Sequence, residues 1–271
     1  MTTLPATPAA TRADRPTEPD RRLPALGGFA PAVLRIELRR VLRNRRTLAF
    51  TLIMPGVFFL IFGLPQGGQS LDNGRPVTAY VMISLAVYAA MVATTSAGGA
   101  VATERALGWS RQLRLTPLRP TAYVATKLIT AMALGLLAVV VEFLVGAAAG
   151  VRIPMHVWLL AGLAAWVGSL VFAAFGLFMG YLVPAENVMQ FIGPILAVLA
   201  MFGGLFVPLE VLPDVLQHVA RFTPVYGVGE LSRAPLTGEG VSMAAVANIA
   251  CWALVFGVGA ARLFRRDTAR V

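Results

Sequence analysis

Six apolar blocks follow one another along the chain, at about 47–64, 77–101, 124–149, 157–183, 188–207 and 243–263. Each is close to the roughly 20 residues that an α-helix needs to cross a hydrocarbon layer about 30 Å thick. An open strand would leave backbone groups unpaired in lipid, so the pattern predicts six transmembrane helices in an all-α membrane protein. The connections are short except for 208–242, which precedes the last block. Glu142 is the one acidic residue inside the blocks, and Lys127 sits at the edge of the third.

Two flanking stretches carry helical periodicity of a different kind. Within 29–46, Leu34, Leu38, Val41 and Leu42 share one face, while Arg35, Arg39, Arg43 and Arg46 fill the adjoining sector. That is the pattern of a basic amphipathic helix lying in the membrane interface, although a plain basic anchor accounts for the same residues. Within 208–242, Leu212, Val215, Leu216, Val219 and Phe222 repeat opposite Asp214, Gln217, His218 and Arg221, and Pro213 suits a first helical turn. A short external helix over the mouth of the bundle is expected there. Residues 1–28, rich in Pro, Ala, Thr and Arg with no apolar run, are expected to form a disordered tail.

Composition strengthens the membrane reading. Charged residues make up 13% of the chain, against roughly 25% in a soluble domain, too few to cover a core of this size. The net charge of +10 raises nucleic acid as a partner, but the basic residues lie between or outside the apolar blocks, with no aromatic platform beside them. Nineteen of the 23 Lys and Arg residues fall before the first block, in 102–127 or after the last; Arg75, Arg152, Arg221 and Arg233 occupy the alternate loops. The positive-inside bias therefore predicts cytoplasmic N- and C-termini, with anionic lipid rather than nucleic acid meeting the charge.

Chemistry of its own is scarce. No G-x-x-x-x-G-K-[ST] loop is present, and the single lysine, Lys127, follows Tyr-Val-Ala-Thr. His156 and His218 are far apart, Cys251 is the lone cysteine, and no HExxH marks a metal site. No catalytic residue, metal or bound cofactor is expected. Glu142 lies about 21 Å along its helix from Leu128. It either faces a translocation pathway, attracting cationic or polar substrate, or sits in a watery vestibule or as an acid kept protonated by burial.

The segment between the second and third blocks carries the most information. Glu104, Arg105, Gly108, Leu113, Thr116 and Pro117, followed by Tyr123 and Lys127, form Glu-Arg-x-x-Gly-x-x-x-x-Leu-x-x-Thr-Pro and its lead into the next block. A stiff amphipathic helix stopped at Thr116-Pro117 is expected, since proline disfavours helix for the residue before it. This pattern resembles the coupling segment of type-2 ABC transporter permeases. A second likeness to that family follows the fifth block, in Pro208, Leu212 and Pro213, then Pro224 and Tyr226.

The resemblance covers about 31–266 and implies a six-span permease, 47–266, working as two copies beside a separate ABC ATPase subunit that binds ATP and Mg. It implies that 104–117 couples to that ATPase and that the Pro208–Tyr226 segment forms an external, amphipathic or re-entrant gate. Within the family the chain most resembles drug and antibiotic resistance exporters of the daunorubicin-resistance kind, in a bacterial cell membrane. Export of a lipid or lipid-linked glycan is the alternative; a membrane-embedded enzyme or assembly factor is a third reading.

Overall fold

The computed structural model describes residues 29, 31–71, 74–108, 120–206, 209, 213–238 and 240–269, and among these no strand is formed. Eleven α-helices appear among them: α1 Pro31–Arg43, α2 Arg45–Phe58, α3 Val77–Gly99, α4 Val101–Ala106, α5 Pro120–Ala148 and α6 Met155–Gly168, then α7 Leu170–Leu182, α8 Ala185–Phe202, α9 Asp214–Arg221, α10 Pro224–Thr237 and α11 Met243–Ala269. Among the described residues six stretches are long and apolar enough to cross a membrane: Leu48–Gln66, Val77–Ala106, Thr121–Ala148, Met155–Leu182, Ala185–Phe202 and Met243–Asp267. They fall on the six blocks read from the sequence. An even number of spans brings both ends of the bundle's chain to one side, here called the terminal side.

α3 is the centre of the bundle. It packs most extensively on α5 and α7, and α7 in turn packs on α11. Close approach between α3 and α7 rests on small residues. A Cβ on Gly176 would lie 2.3 Å from the Thr95 carbonyl oxygen, and one on Gly98 2.7 Å from that of Ala173. In lipid, where apolar burial gives helices no preference for each other over acyl chains, such backbone proximity is what favours association. Thr95 Oγ1 adds a bond to the Phe172 carbonyl at 3.2 Å, and Trp166 Nε1 one to the Met132 carbonyl at 2.9 Å.

The first span is jointed. Pro55 lies inside α2 and removes a backbone donor, and the helix then passes into a π-helical turn, Phe59–Gly63, before a 3₁₀ turn, Leu64–Gln66. The fifth span is short: α8 has 18 residues, about 27 Å of rise, whereas the fourth has 28, about 42 Å. The segment after α8 fills the difference. Trp252 lies roughly 14 Å along α11 from Met243, yet its Nε1–H reaches the Phe222 carbonyl at 2.8 Å. Pro224, Val225, Val228 and Leu236 of α10 are buried, with Val228 against Gly168. α9 and α10 thus form a helical hairpin that dips between the spans.

Two expectations change here. The sequence places one amphipathic helix in 208–242; α9 is that helix, but α10 follows it, and its Gly227, Gly229 and Ser232 are small enough to enter the bundle. Arg233, counted among loop residues, is buried in that hairpin. Residues 1–28, Leu113, Thr116, Pro117, Pro208 and Leu212 lie outside the described residues.

Candidate functional site

Glu104 and Arg105 stand side by side in the last turn of α4, about 100° apart around the helix, so they point into different sectors. Leu107 and Gly108 close that turn, and Gly108 adopts φ +73, a left-handed conformation that costs other residues and ends the helix. The chain beyond α4 therefore departs from a stop fixed by Gly108.

The Glu104 carboxylate is only 5% exposed and is fully satisfied. Tyr123 donates its hydroxyl to Oε2 at 2.5 Å, Lys127 donates Nζ to Oε1 at 2.5 Å, and Arg40 donates to the same oxygen. Lys127 also donates to Glu37 at 2.5 Å, and Arg40 pairs with Glu37 at 3.1 Å. Two acids and two bases from α1, α4 and α5 thus balance. Burial opposes the charge of Arg40, but the carboxylates of Glu104 and Glu37 outweigh it and hold the guanidinium above its usual pKa.

Arg105 turns the other way. Its Nε and Nη2 meet both carboxylate oxygens of Asp267 at 3.0 and 2.7 Å, the bidentate fork that suits a guanidinium. Its Nη1 donates to the carbonyls of Gly180 and Tyr181, each at 3.0 Å, where α7 runs out of internal donors. Its guanidinium carbon lies 5.4 Å from the centre of the Tyr181 ring. Two adjacent residues therefore tie α4 to α1 and α5 on one flank and to α7 and α11 on the other.

Cavities open on both flanks. One, of about 480 Å³, has Arg40, Asn44, Thr103 and Glu104 at its polar end and Leu48, Leu52, Ala93 and Leu134 along its apolar wall. The other, of about 660 Å³, is an open cleft beside Arg105, Gly108, Glu186 and Asp267. On the far side a third, of about 370 Å³, is lined by Tyr80, Gln217, Arg221, Tyr226, Glu230 and Arg233. There Arg233 donates to Ser84 Oγ at 3.2 Å and to the Gly204 carbonyl at 3.1 Å, and sits 4.8 Å from the centre of the Tyr80 ring. Burial and the neighbouring Glu230 carboxylate push the Tyr226 phenol up to about 12.

The external residues read from the sequence divide accordingly. Pro224 occupies the first turn of α10 and is buried, Pro213 precedes α9, and Tyr226 faces the far cavity. Glu142 joins none of these sites. It is 0% exposed, enclosed within the subunit, and a Cβ on Gly56 of α2 would lie 3.8 Å from its Oε2. Among the described residues no cluster of His, Cys, Asp and Glu could hold a metal ion.

Glu37, Arg40 and Asp267 are the functional candidates that sequence reasoning missed. A signal existed for both acids: Glu37 is the sole acid in 29–46, and Asp267 the sole acid beyond Arg262. A lone carboxylate in an arginine-rich segment has more use as an internal partner than as a solvated charge.

Comparison with known proteins agrees with this architecture. The family model described as ABC-2 type transporter matches residues 31–236. A Bacillus subtilis (strain 168) protein named "Putative transport permease YvfS" is 30% identical over 195 residues, 71% of this chain and 79% of that protein.

Proposed function

Because the chain belongs to the ABC-2 type transporter family, we propose that it is the membrane-spanning half of an ATP-driven exporter in a bacterial inner membrane. Two copies enclose the pathway, the termini face the cytoplasm, and a separate ABC ATPase binds ATP and Mg. The cargo is a drug, antibiotic or other amphipathic small molecule. The cavity at Arg40 and Glu104 supports that class, since it joins a charged end to an apolar wall in a volume suited to such a molecule.

The observation that carries the reading is the double brace on α4. The segment from Glu104 to Pro117 starts at a helix tied through adjacent residues to α1, α5, α7 and α11. A push from a docked ATPase on that segment reaches four helices at once. ATP-driven closure of the ATPase pair then tips the bundle between two packed arrangements. In this reading Glu104 and Arg105 transmit force from within, while Gly108, Leu113, Thr116 and Pro117 shape the surface that the ATPase meets. The α9–α10 hairpin, with Pro213, Pro224 and Tyr226, gates the far side, and the family resemblance assigns Pro208 and Leu212 to the same gate.

The test is reconstitution of the chain with a co-purified P-loop ATPase in proteoliposomes. ATP-dependent movement of an amphipathic dye is expected, and Arg105→Ala should abolish it while the ATPase still binds. Absence of any ATPase partner, or full transport by Arg105→Ala, overturns the reading. Movement of labelled lipid but of no small molecule would assign the chain to lipid export instead.

A further inference from the structure

The strongest unused feature of the molecule is the carboxyl group of Glu142. It is wholly buried at mid-helix in α5, and neither Oε1 nor Oε2 has a hydrogen-bond partner among the described residues. A carboxylate stripped of water with no donor loses its hydration and gains nothing in return, so the enclosed form is the neutral acid. Among the described residues no cation is bonded to it. Leu48–Gln66 of the first span has no titratable residue; α3 brings Tyr80 and Tyr88, α6 His156, and α7 Tyr181. α5 itself brings Tyr123 and Lys127, and α1 Arg35, Glu37, Arg39, Arg40 and Arg43. None of them is bonded to Glu142, and Lys127 and Arg40 are engaged with Glu104 and Glu37.

Part of what covers Glu142 is a bendable stretch of the first span. Gly56 approaches the carboxyl and Val145 directly after Pro55, and the π-helical turn follows three residues on. Proline and π-turns are where helices bend. A bend at Pro55 would move Gly56 relative to this acid.

We infer that Glu142 is a proton-binding site governed by the joint in the first span: it holds a proton while α2 is packed on α5, and releases it when α2 draws back and admits water. The ligand is a proton, and the consequence is that movement of the first span is linked to proton uptake and release. This goes beyond the exporter reading and does not depend on it, because its test needs neither ATPase nor cargo.

The test uses infrared spectroscopy of the full chain in liposomes. The wild type minus Glu142→Gln difference spectrum at neutral pH should contain the carbonyl stretch of a protonated carboxylic acid. An ionised carboxylate signal in its place overturns the proposal. The link to α2 is tested by a disulfide between Gly56→Cys and Val145→Cys in a Cys251→Ser background, positions that touch in the structure. With the bridge closed the acid band should persist to higher pH than with it reduced. Identical titrations in the two states remove the link to the joint.

Discussion

Two buried glutamates, Glu104 and Glu142, meet opposite treatment in the same bundle. Glu104, at the terminal-side end of α4, accepts from Tyr123, Lys127 and Arg40. Glu142, in the middle of α5, accepts from no described residue. The first is a permanent charge whose removal strands its partners. The second is an acid whose chemistry depends on what covers it. Burial alone therefore says little about a carboxyl in a membrane bundle; its donors decide whether it holds helices together or waits for a proton.

The largest effect is expected where that contrast is removed from the paired side. Glu104→Ala leaves the buried ammonium of Lys127 with only Glu37, and breaking a buried pair in this way costs about 3–5 kcal/mol. The denaturation midpoint in detergent should fall accordingly; a loss below about 1 kcal/mol would mean that the cluster is solvated and weakly coupled. Arg105→Ala should cost about 1.5–3 kcal/mol, because its bonds to Asp267 and two carbonyls are charge-assisted but partly open to water. Tyr123→Phe removes one donor to a charged acceptor and should cost about 1.5 kcal/mol in the same assay. Smallest of all, Glu142→Gln should shift stability by less than about 1 kcal/mol, since no hydrogen bond among the described residues is lost. A large loss there would erase the distinction between the two acids.

The spans were legible in the sequence because twenty apolar residues have one solution in lipid. So were α1, α9 and the pairing of Glu104 with Arg105 as a marked position, though as a motif rather than as contacts. The α9–α10 hairpin was not. α10 has Arg233 and Glu230 inside it and two prolines, so its local pattern reads as a loop. Its stability comes from Gly168, Gly203 and Trp252, contacts that no local periodicity encodes. The second brace was hidden for the same reason, since Arg105 and Asp267 are 162 positions apart. Glu142 was visible as an exception, but its place beside Gly56 of α2 depended on the rotation of α5, which an apolar sequence on all sides leaves open.

That long separation also bears on how the molecule is made. Ribosomes deliver the chain from one end, so Arg105 reaches the membrane surface well before the residue it grips. Until the last helix is inserted, its fork has no acid to hold, and on that flank α4 has only the Gly180 and Tyr181 carbonyls of α7. The brace on that flank can close only when synthesis has passed Asp267. A nascent chain cut short of that residue would hold α4 against α1, α5 and α7 but would leave the bidentate half of the Arg105 brace unmade.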